Sequence, residues 1–376
     1  MTHVVIVGSG FAGCTAIRKL RKAGFAGQIT LVSPRPEFFY FPSLIWVPCG
    51  CRTEQDLRID LTAFLERQRV AHHAARATGL RPADNVLLTD RGEIVYDWLL
   101  VASGGRYLRK LPGIEHAHIV CEGWETVKRF SDRLHGLESG HLAFGFASNP
   151  KEPAAMRGGP IFEFLFGVDT LLRKQGRRDH FQITFFSPAP KPGARLGEKA
   201  VQRLLGRMNK LGIETHLGHR LKRFEPDRVV TEGGEVPADL IAFIPGMTGP
   251  DFAAESGLPL SEGGFFQADE TCRSPGAKNV YIAGDAGSFP GPEWRPKQAH
   301  MADLQAETAV RNMLAAMQGR PAEHRFKTEL ICIIDSVDSG VLVYRDPRRN
   351  FQLPGKPFHW AKVFYEKAYL RQYANP

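Results

Sequence analysis

Cysteine is scarce: six in 376 residues, too few to staple a disulfide scaffold. Long apolar runs are missing as well. Nothing approaches the roughly 18 uncharged apolar residues that cross a bilayer, and the apolar start, Val4 to Val7, runs at once into glycines. The basic head, longer apolar stretch and small-residue cleavage site of a secretory leader are also absent. The expected compartment is therefore the cytoplasm, where free thiols persist. Lys plus Arg outnumber Asp plus Glu by 49 to 40, a formal charge of +9, yet the basic residues are spread along the chain without a run. Spread charge argues against a nucleic-acid partner and leaves an anionic membrane surface or an acidic cofactor. Tandem repeats and low-complexity tracts are not found. With 43 % hydrophobic and 24 % charged residues, the composition excludes a disordered chain, a collagen-like fibre and a coiled-coil rod. The length accommodates two or three domains.

What is present begins at the N-terminus. Val4-Val5-Ile6-Val7 is a β-branched run of the kind found in a strand buried on both faces of a parallel sheet. Gly8-Ser9-Gly10-Phe11-Ala12-Gly13 follows, then a helix over Cys14 to Ala23 and a second strand over Gln28 to Val32. Strand, helix and strand in about thirty residues make a βαβ unit. Within it Gly8, Gly10 and Gly13 form G-x-G-x-x-G: a sharp turn, a close approach of backbone to a pyrophosphate, and tight helix–strand packing. The helix N-terminus then aims its free N–H groups at the phosphates. Where an acidic residue commonly ends the second strand, this chain has Ser33, followed by Pro34 and Arg35. Ser33 can hydrogen-bond a ribose hydroxyl and Arg35 can meet an adenosine phosphate, so this motif alone leaves the dinucleotide open.

Downstream, Val86 to Leu88 and Glu93 to Tyr96 read as a hairpin and Trp98 to Ala102 as another buried strand. A second α/β unit opens at His141, with a helix near 161–174, a strand at 182–187, a helix near 197–211 and a strand around 214–216. Asn279 to Ala283 is a further buried strand, followed by a helix over about 297–316 that Lys297 begins. Strands near 328–334 and 340–344, a Pro/Gly-rich link and a helical tail from Trp360 to Tyr373 close the chain.

Two more segments sharpen the reading. Leu99-Leu100-Val101-Ala102-Ser103-Gly104 and Val280-Tyr281-Ile282-Ala283-Gly284-Asp285 resemble the paired signatures of flavoproteins with two dinucleotide-binding domains. The resemblance narrows to the branch holding sulfide:quinone oxidoreductases, flavocytochrome c sulfide dehydrogenases and type II NADH dehydrogenases. Phe38 to Val47, Pro296-Lys297 and the tail segment His359 to Lys367 are similar to segments of the first of these. It implies an α/β fold: two Rossmann-like dinucleotide-binding domains plus a C-terminal extension. The expected division is residues 1–110 and 246–320 for the FAD-binding domain, 111–245 for the second Rossmann-like domain and 321–376 for the extension. It further implies noncovalent FAD, because the flavin-linking cysteine of the flavocytochromes is replaced by Phe41. Gly8, Gly10, Gly13, Ser33, Arg35, Ala102, Gly104, Gly284, Asp285 and Lys297 are the expected cofactor-binding residues, with Asp285 on the ribityl chain. Lys297 would stabilise the negative charge of the reduced ring; its plain alternative is a solvated lysine at a helix start.

The resemblance also implies sulfur chemistry. Cys121 and Cys332 match two of the family's redox cysteines, and both are expected to be catalytic with Lys297. The third cysteine should fall within Ala155 to Pro160, where Arg157 takes its place. A reactive thiol needs a lowered pKa, and Arg157 is the cation that would supply it. The plain alternative for both thiols is a buried small hydrophobe. Cys49-Gly50-Cys51 has no second Cys or His cluster, so no metal is expected; Cys14 and Cys272 read as structural. Where an NADH-using relative would carry a second glycine-rich turn, Gly145 to Pro153 keeps one glycine and places Pro150 and Pro153, which lack backbone donors.

The expected partners are a small sulfur species and a quinone. The tail interleaves Phe358, Trp360, Phe364 and Tyr365 with Lys356, Lys362 and Lys367, which suits an interfacial helix on the cytoplasmic face of a membrane, a cover over a quinone site, or plain docking on the protein or a second copy. Relatives continue beyond this signature whereas this chain stops at Pro376, so weaker membrane attachment or a homo-oligomer is expected. The competing functions are an NADH:quinone oxidoreductase, which needs no cysteine, and an electron-transfer subunit with degenerate catalysis.

Overall fold

The computed structural model describes residues 1–374. The chain starts with β1 (His3–Val7), α1 (Phe11–Lys22), β2 (Gln28–Ser33), β3 (Ala71–Ala74) and β4 (Trp98–Val101). It continues through α2 (Trp124–Gly136), β5 (Gly140–Phe146), α3 (Gly159–Lys174), β6 (Phe181–Ser187), α4 (Glu198–Lys210), β7 (Ile213–Leu217) and β8 (Leu240–Ile244). It then returns to the first unit with β9 (Val280–Ile282) and α5 (Ala299–Met317), and ends with β10 (Leu330–Asp335), β11 (Gly340–Arg345), β12 (Asn350–Gly355) and α6 (Lys356–Leu370).

Two parallel sheets result. The first runs β9-β4-β1-β2-β3 and the second β7-β6-β5-β8. In the first, Val4–Val7 pair with Ile29–Val32 on one side and Trp98–Val101 on the other. Both faces of these strands are buried, which is why they read as unbroken apolar runs. The carboxyl ends of β1, β4 and β9 converge where ligands bind open α/β sheets.

The C-terminal part differs from the sequence expectation. The Pro/Gly-rich link is β12, an edge strand antiparallel to β11; Pro354 is tolerated because an edge position asks for no outward N–H. The tail helix starts at Lys356, with Pro357 in its first turn, and ends at Leu370. Tyr369 and Tyr373 are buried in the core of the first unit beside Phe38 and Phe64, and Tyr369 donates to Asp303 on α5 at 3.0 Å. Leu330, Ile334 and Val343 of the C-terminal sheet join the core of the second unit. The extension thus clasps both units across the cleft between them.

Candidate active site

The β1–α1 turn is shaped by its glycines. Gly8 has φ 105°, and a Cβ there would sit 2.5 Å from the Ala102 carbonyl oxygen. A Cβ on Gly13 would collide with the carbonyl of Gly8, whereas one on Gly10 would meet nothing within 4 Å. Gly8 and Gly13 are therefore glycines because protein fills the space. At Gly10 the space is left open before an α1 N-terminus that no side chain caps, which is a cradle for an anion.

Ser33 is buried at the end of β2, and its hydroxyl donates to the Arg35 carbonyl at 2.8 Å. Arg35 is largely exposed and pairs with Glu37. Across the turn, Gly284 (φ 73°) donates its N–H to Gln305 on α5 at 2.8 Å, and a Cβ there would touch Ala12 of α1 and Ala302 of α5. Close packing thus places Asp285 beside the α1 N-terminus, next to the loop of Ala102 and Gly104. Asp285 is buried and ion-paired to Arg157. Burial alone would lower the Arg157 pKa, but Asp285 foremost, then Tyr107 and Cys121, hold it above the usual range.

Lys297 does not begin a helix. It precedes the N-cap residue Gln298, and α5 starts at Ala299. The Lys297 side chain reaches back to the segment after β9, where Nζ donates to the carbonyls of Asp285 (3.1 Å) and Gly287 (2.9 Å) and lies 3.9 Å from the Phe265 ring centroid. Burial lowers its pKa to about 8 against the pull of Asp285 and Glu152.

A cavity of ≈ 1280 Å³ runs between the units. Cys121, Arg157, Lys297 and Cys332 all line it, as do Phe41 and Tyr365. The two thiols, far apart in sequence, therefore open on one space. All six cysteines are free, and Cys49 and Cys51 do not line the cavity. The expected thiol activation is corrected: Arg157 does act to lower Cys121, but burial outweighs it and pushes the thiol up to about 12. Burial and the Glu163 charge push Cys332 to about 12 as well, with Lys362 opposing. Both are neutral thiols at neutral pH. Among the described residues no group of three or more His, Cys, Asp or Glu side chains is arranged to hold a metal.

The second glycine-rich turn is absent structurally too. Residues 147–158 separate β5 from α3 and are tied to the first unit, by Glu152 accepting from Ser261 and Ser288 and by Arg157 on Asp285. That loop leaves no short strand-to-helix turn to cradle a pyrophosphate.

Sequence reasoning missed a buried polar network beside Cys332. Glu163 on α3 is ion-paired to Lys362 on α6 and accepts from the Asp335 N–H at 2.9 Å. Asp335 accepts from Trp46 Nε1 and from His359 Nδ1, each at 2.8 Å. The available signal was a lone carboxylate in the apolar stretch Ile161 to Phe166. Burial raises Glu163 to about 7 despite Lys362. A carboxyl that holds its proton longer in the native state stabilises fully below its ordinary pKa near 4.5, and that stability is lost as pH rises toward 7. In Glu163→Gln, thermal unfolding followed from pH 4.5 to 7.5 should therefore show a flatter decline of Tm than wild type; an unchanged slope contradicts the assignment.

One face of α6 docks while Trp360 and Phe364 stand 68 % and 71 % exposed. Among the described residues no helix is long and apolar enough to cross a membrane.

Residues 2–306 match the family model described as pyridine nucleotide-disulphide oxidoreductase. The chain belongs to that family. As a member it is an FAD-dependent oxidoreductase, with the two-unit fold described above. It is 25 % identical to the sulfide-quinone reductase of Aquifex aeolicus, over 99 % of this chain and 91 % of that one. The X-ray structure of the sulfide:quinone oxidoreductase from the same organism superposes with TM-score 0.88 at 24 % identity, covering 99 % of this chain and 91 % of that chain. A type II NADH:quinone oxidoreductase of Mycobacterium tuberculosis is 22 % identical over 77 % of this chain and 68 % of its own length. Over nearly its whole length the chain is thus similar to a sulfide-quinone reductase, and over about three quarters of it to a type II NADH:quinone oxidoreductase.

Proposed function

We propose that the protein oxidises sulfide or a related small sulfur species with FAD and the thiols of Cys121 and Cys332, and passes the electrons to a quinone. The observation that carries this reading is the opening of both thiols on one cavity with Lys297 and Arg157. FAD, when bound, supplies the two-electron store between donor and acceptor.

The residues present fit that cofactor. The open cradle at Gly10 and the α1 N-terminus suit its diphosphate, with Gly8 and Gly13 closing the turn. Ser33 and Arg35 stand at the adenosine side. Asp285, with Ala102, Gly104 and Gly284 around it, suits the ribityl hydroxyls, and Lys297 offers positive charge to the ring.

The thiols hold the sulfur. Attack of HS⁻ on a Cys121–Cys332 disulfide breaks the S–S bond, leaves one cysteine as a persulfide and releases the other as a thiolate. Since burial disfavours either thiolate, the cations beside them steady it: Arg157 for Cys121 and Lys362 for Cys332. A second HS⁻ takes the outer sulfur from the persulfide as HS–S⁻ and leaves both cysteines reduced, and the two electrons given up as the free thiols form the disulfide are those that FAD, when bound, would accept. At the acceptor side, the wall of Phe41, Ile331 and Tyr365 suits an apolar ring, and Glu163 with Lys362 is a proton source beside it. The exposed aromatics of α6 would bring that opening to a membrane surface, where a quinone resides.

The test is steady-state reduction of a short-chain quinone by sulfide with the FAD-loaded protein. Turnover with sulfide and none with NADH is expected; turnover with NADH alone overturns the reading.

A further inference from the structure

The wall of the cavity formed by the second unit and the C-terminal sheet carries cations that the reading above does not use. Lys151, Arg195 and Arg345 line it, and Arg295 lines a smaller pocket that shares Glu152, Pro296 and Lys297 with it. Among the described residues, none of these four has a carboxylate within 4.0 Å, although 26 other pairings do. Arg345 donates to the Arg195 carbonyl at 2.7 Å and stacks 4.9 Å from the Trp294 ring centroid, so it is held beside Arg195 by neutral groups. Arg195 reaches the Pro153 carbonyl. Nη1 of Arg295 is buried and donates to nothing.

The nearby carboxylates are engaged or exposed. Glu152 accepts from the hydroxyls of Ser261 at 2.5 Å and Ser288 at 2.7 Å, and Glu293 stands exposed on the rim. Burial first, and then the charge of Arg295, lower Arg195 to about 10. The α3 N-terminus at Gly158 and Gly159, also without a side-chain cap, opens on the same cavity and adds the positive end of its dipole. Arg195 and Arg295, whose charges burial disfavours, are unfavourable without a counter-charge, and arginine forks match the geometry of an oxyanion.

We propose that Arg195, Arg295 and Arg345 form a binding site for a tetrahedral oxyanion, either a sulfur oxyanion or a phosphoryl group. The site stands apart from the Gly8–Gly13 turn and does not depend on sulfide being the electron donor. It places a second, anionic ligand in the space that the thiols share.

The test is calorimetric titration of the FAD-loaded full chain, at constant ionic strength set with chloride, using sulfate, thiosulfate, phosphate and pyrophosphate as probes. Sulfate is included because it is unreactive toward thiols and flavin. Saturable binding is expected, weakened about tenfold or more in Arg195→Gln, as loss of a charge-assisted contact requires, and likewise in Arg345→Gln. Lys278→Gln, a change at an exposed lysine elsewhere, should bind as wild type does. Preference for sulfate and thiosulfate assigns the site to sulfur oxyanions, and preference for phosphate and pyrophosphate to phosphoryl groups. Flavin absorbance and melting temperature confirm that each variant is folded, and Arg345→Gln alone decides the matter where Arg195→Gln is not. Absence of saturable binding, or equal affinity in wild type and the folded arginine variants, overturns the proposal.

Discussion

Cys332→Ser is expected to slow reduction of the bound flavin by sulfide at least about a hundredfold, the scale of losing a covalent participant. Serine is nearly isosteric but cannot hold a sulfane sulfur or form a disulfide. The side chain sits on β10, half-buried, against the core of the second unit. A purely structural thiol there would predict a different outcome: a stability loss of about 1–3 kcal/mol from a poorly satisfied hydroxyl, with the rate kept. Anaerobic stopped-flow of the yellow variant, with its Tm measured alongside, separates the two. Cys121→Ser should behave as Cys332→Ser does. Cys14→Ser should leave the rate unchanged, because Cys14 is enclosed on α1 with its thiol donating to Ser9.

The second large effect is expected at the N-terminal turn. Gly10→Val should weaken FAD binding by about 3 kcal/mol or more, about a hundredfold, through loss of charge-assisted contacts to the diphosphate. Its apo-protein should melt near wild type, since a Cβ at Gly10 meets nothing in the chain. Gly13→Val is expected to lose the fold as well, because its Cβ would drive into the Gly8 carbonyl. Equilibrium FAD titration with apo-protein melting distinguishes them. A Gly10→Val protein that binds FAD as tightly as wild type would remove the diphosphate from this turn.

These two predictions rest on features that differ in how far sequence reveals them. The N-terminal βαβ unit was legible because its signals are local: a β-branched run, glycines at fixed spacing, a helix directly after. The positions of Cys121 and Cys332 came from resemblance, and only the fold brings them to one cavity. The ionisation of those thiols was misjudged, since sequence places Arg157 near a cysteine but not inside an apolar wall, nor its charge on Asp285. Long-range polar pairs were equally hidden. Glu163 and Lys362 meet only because α3 and α6 both pack on β10, and Lys297 reaches back to the carbonyls of Asp285 and Gly287 before the helix begins. The third C-terminal strand was missed because Pro and Gly read as a link where an edge strand tolerates them.

The account stands on sulfur rather than hydride feeding a flavin in this cavity. Anaerobic mixing of the FAD-loaded full chain with sulfide, and separately with NADH, while the flavin absorbance band is followed, addresses that most directly. Bleaching by sulfide with indifference to NADH is the predicted result; bleaching by NADH with indifference to sulfide contradicts it.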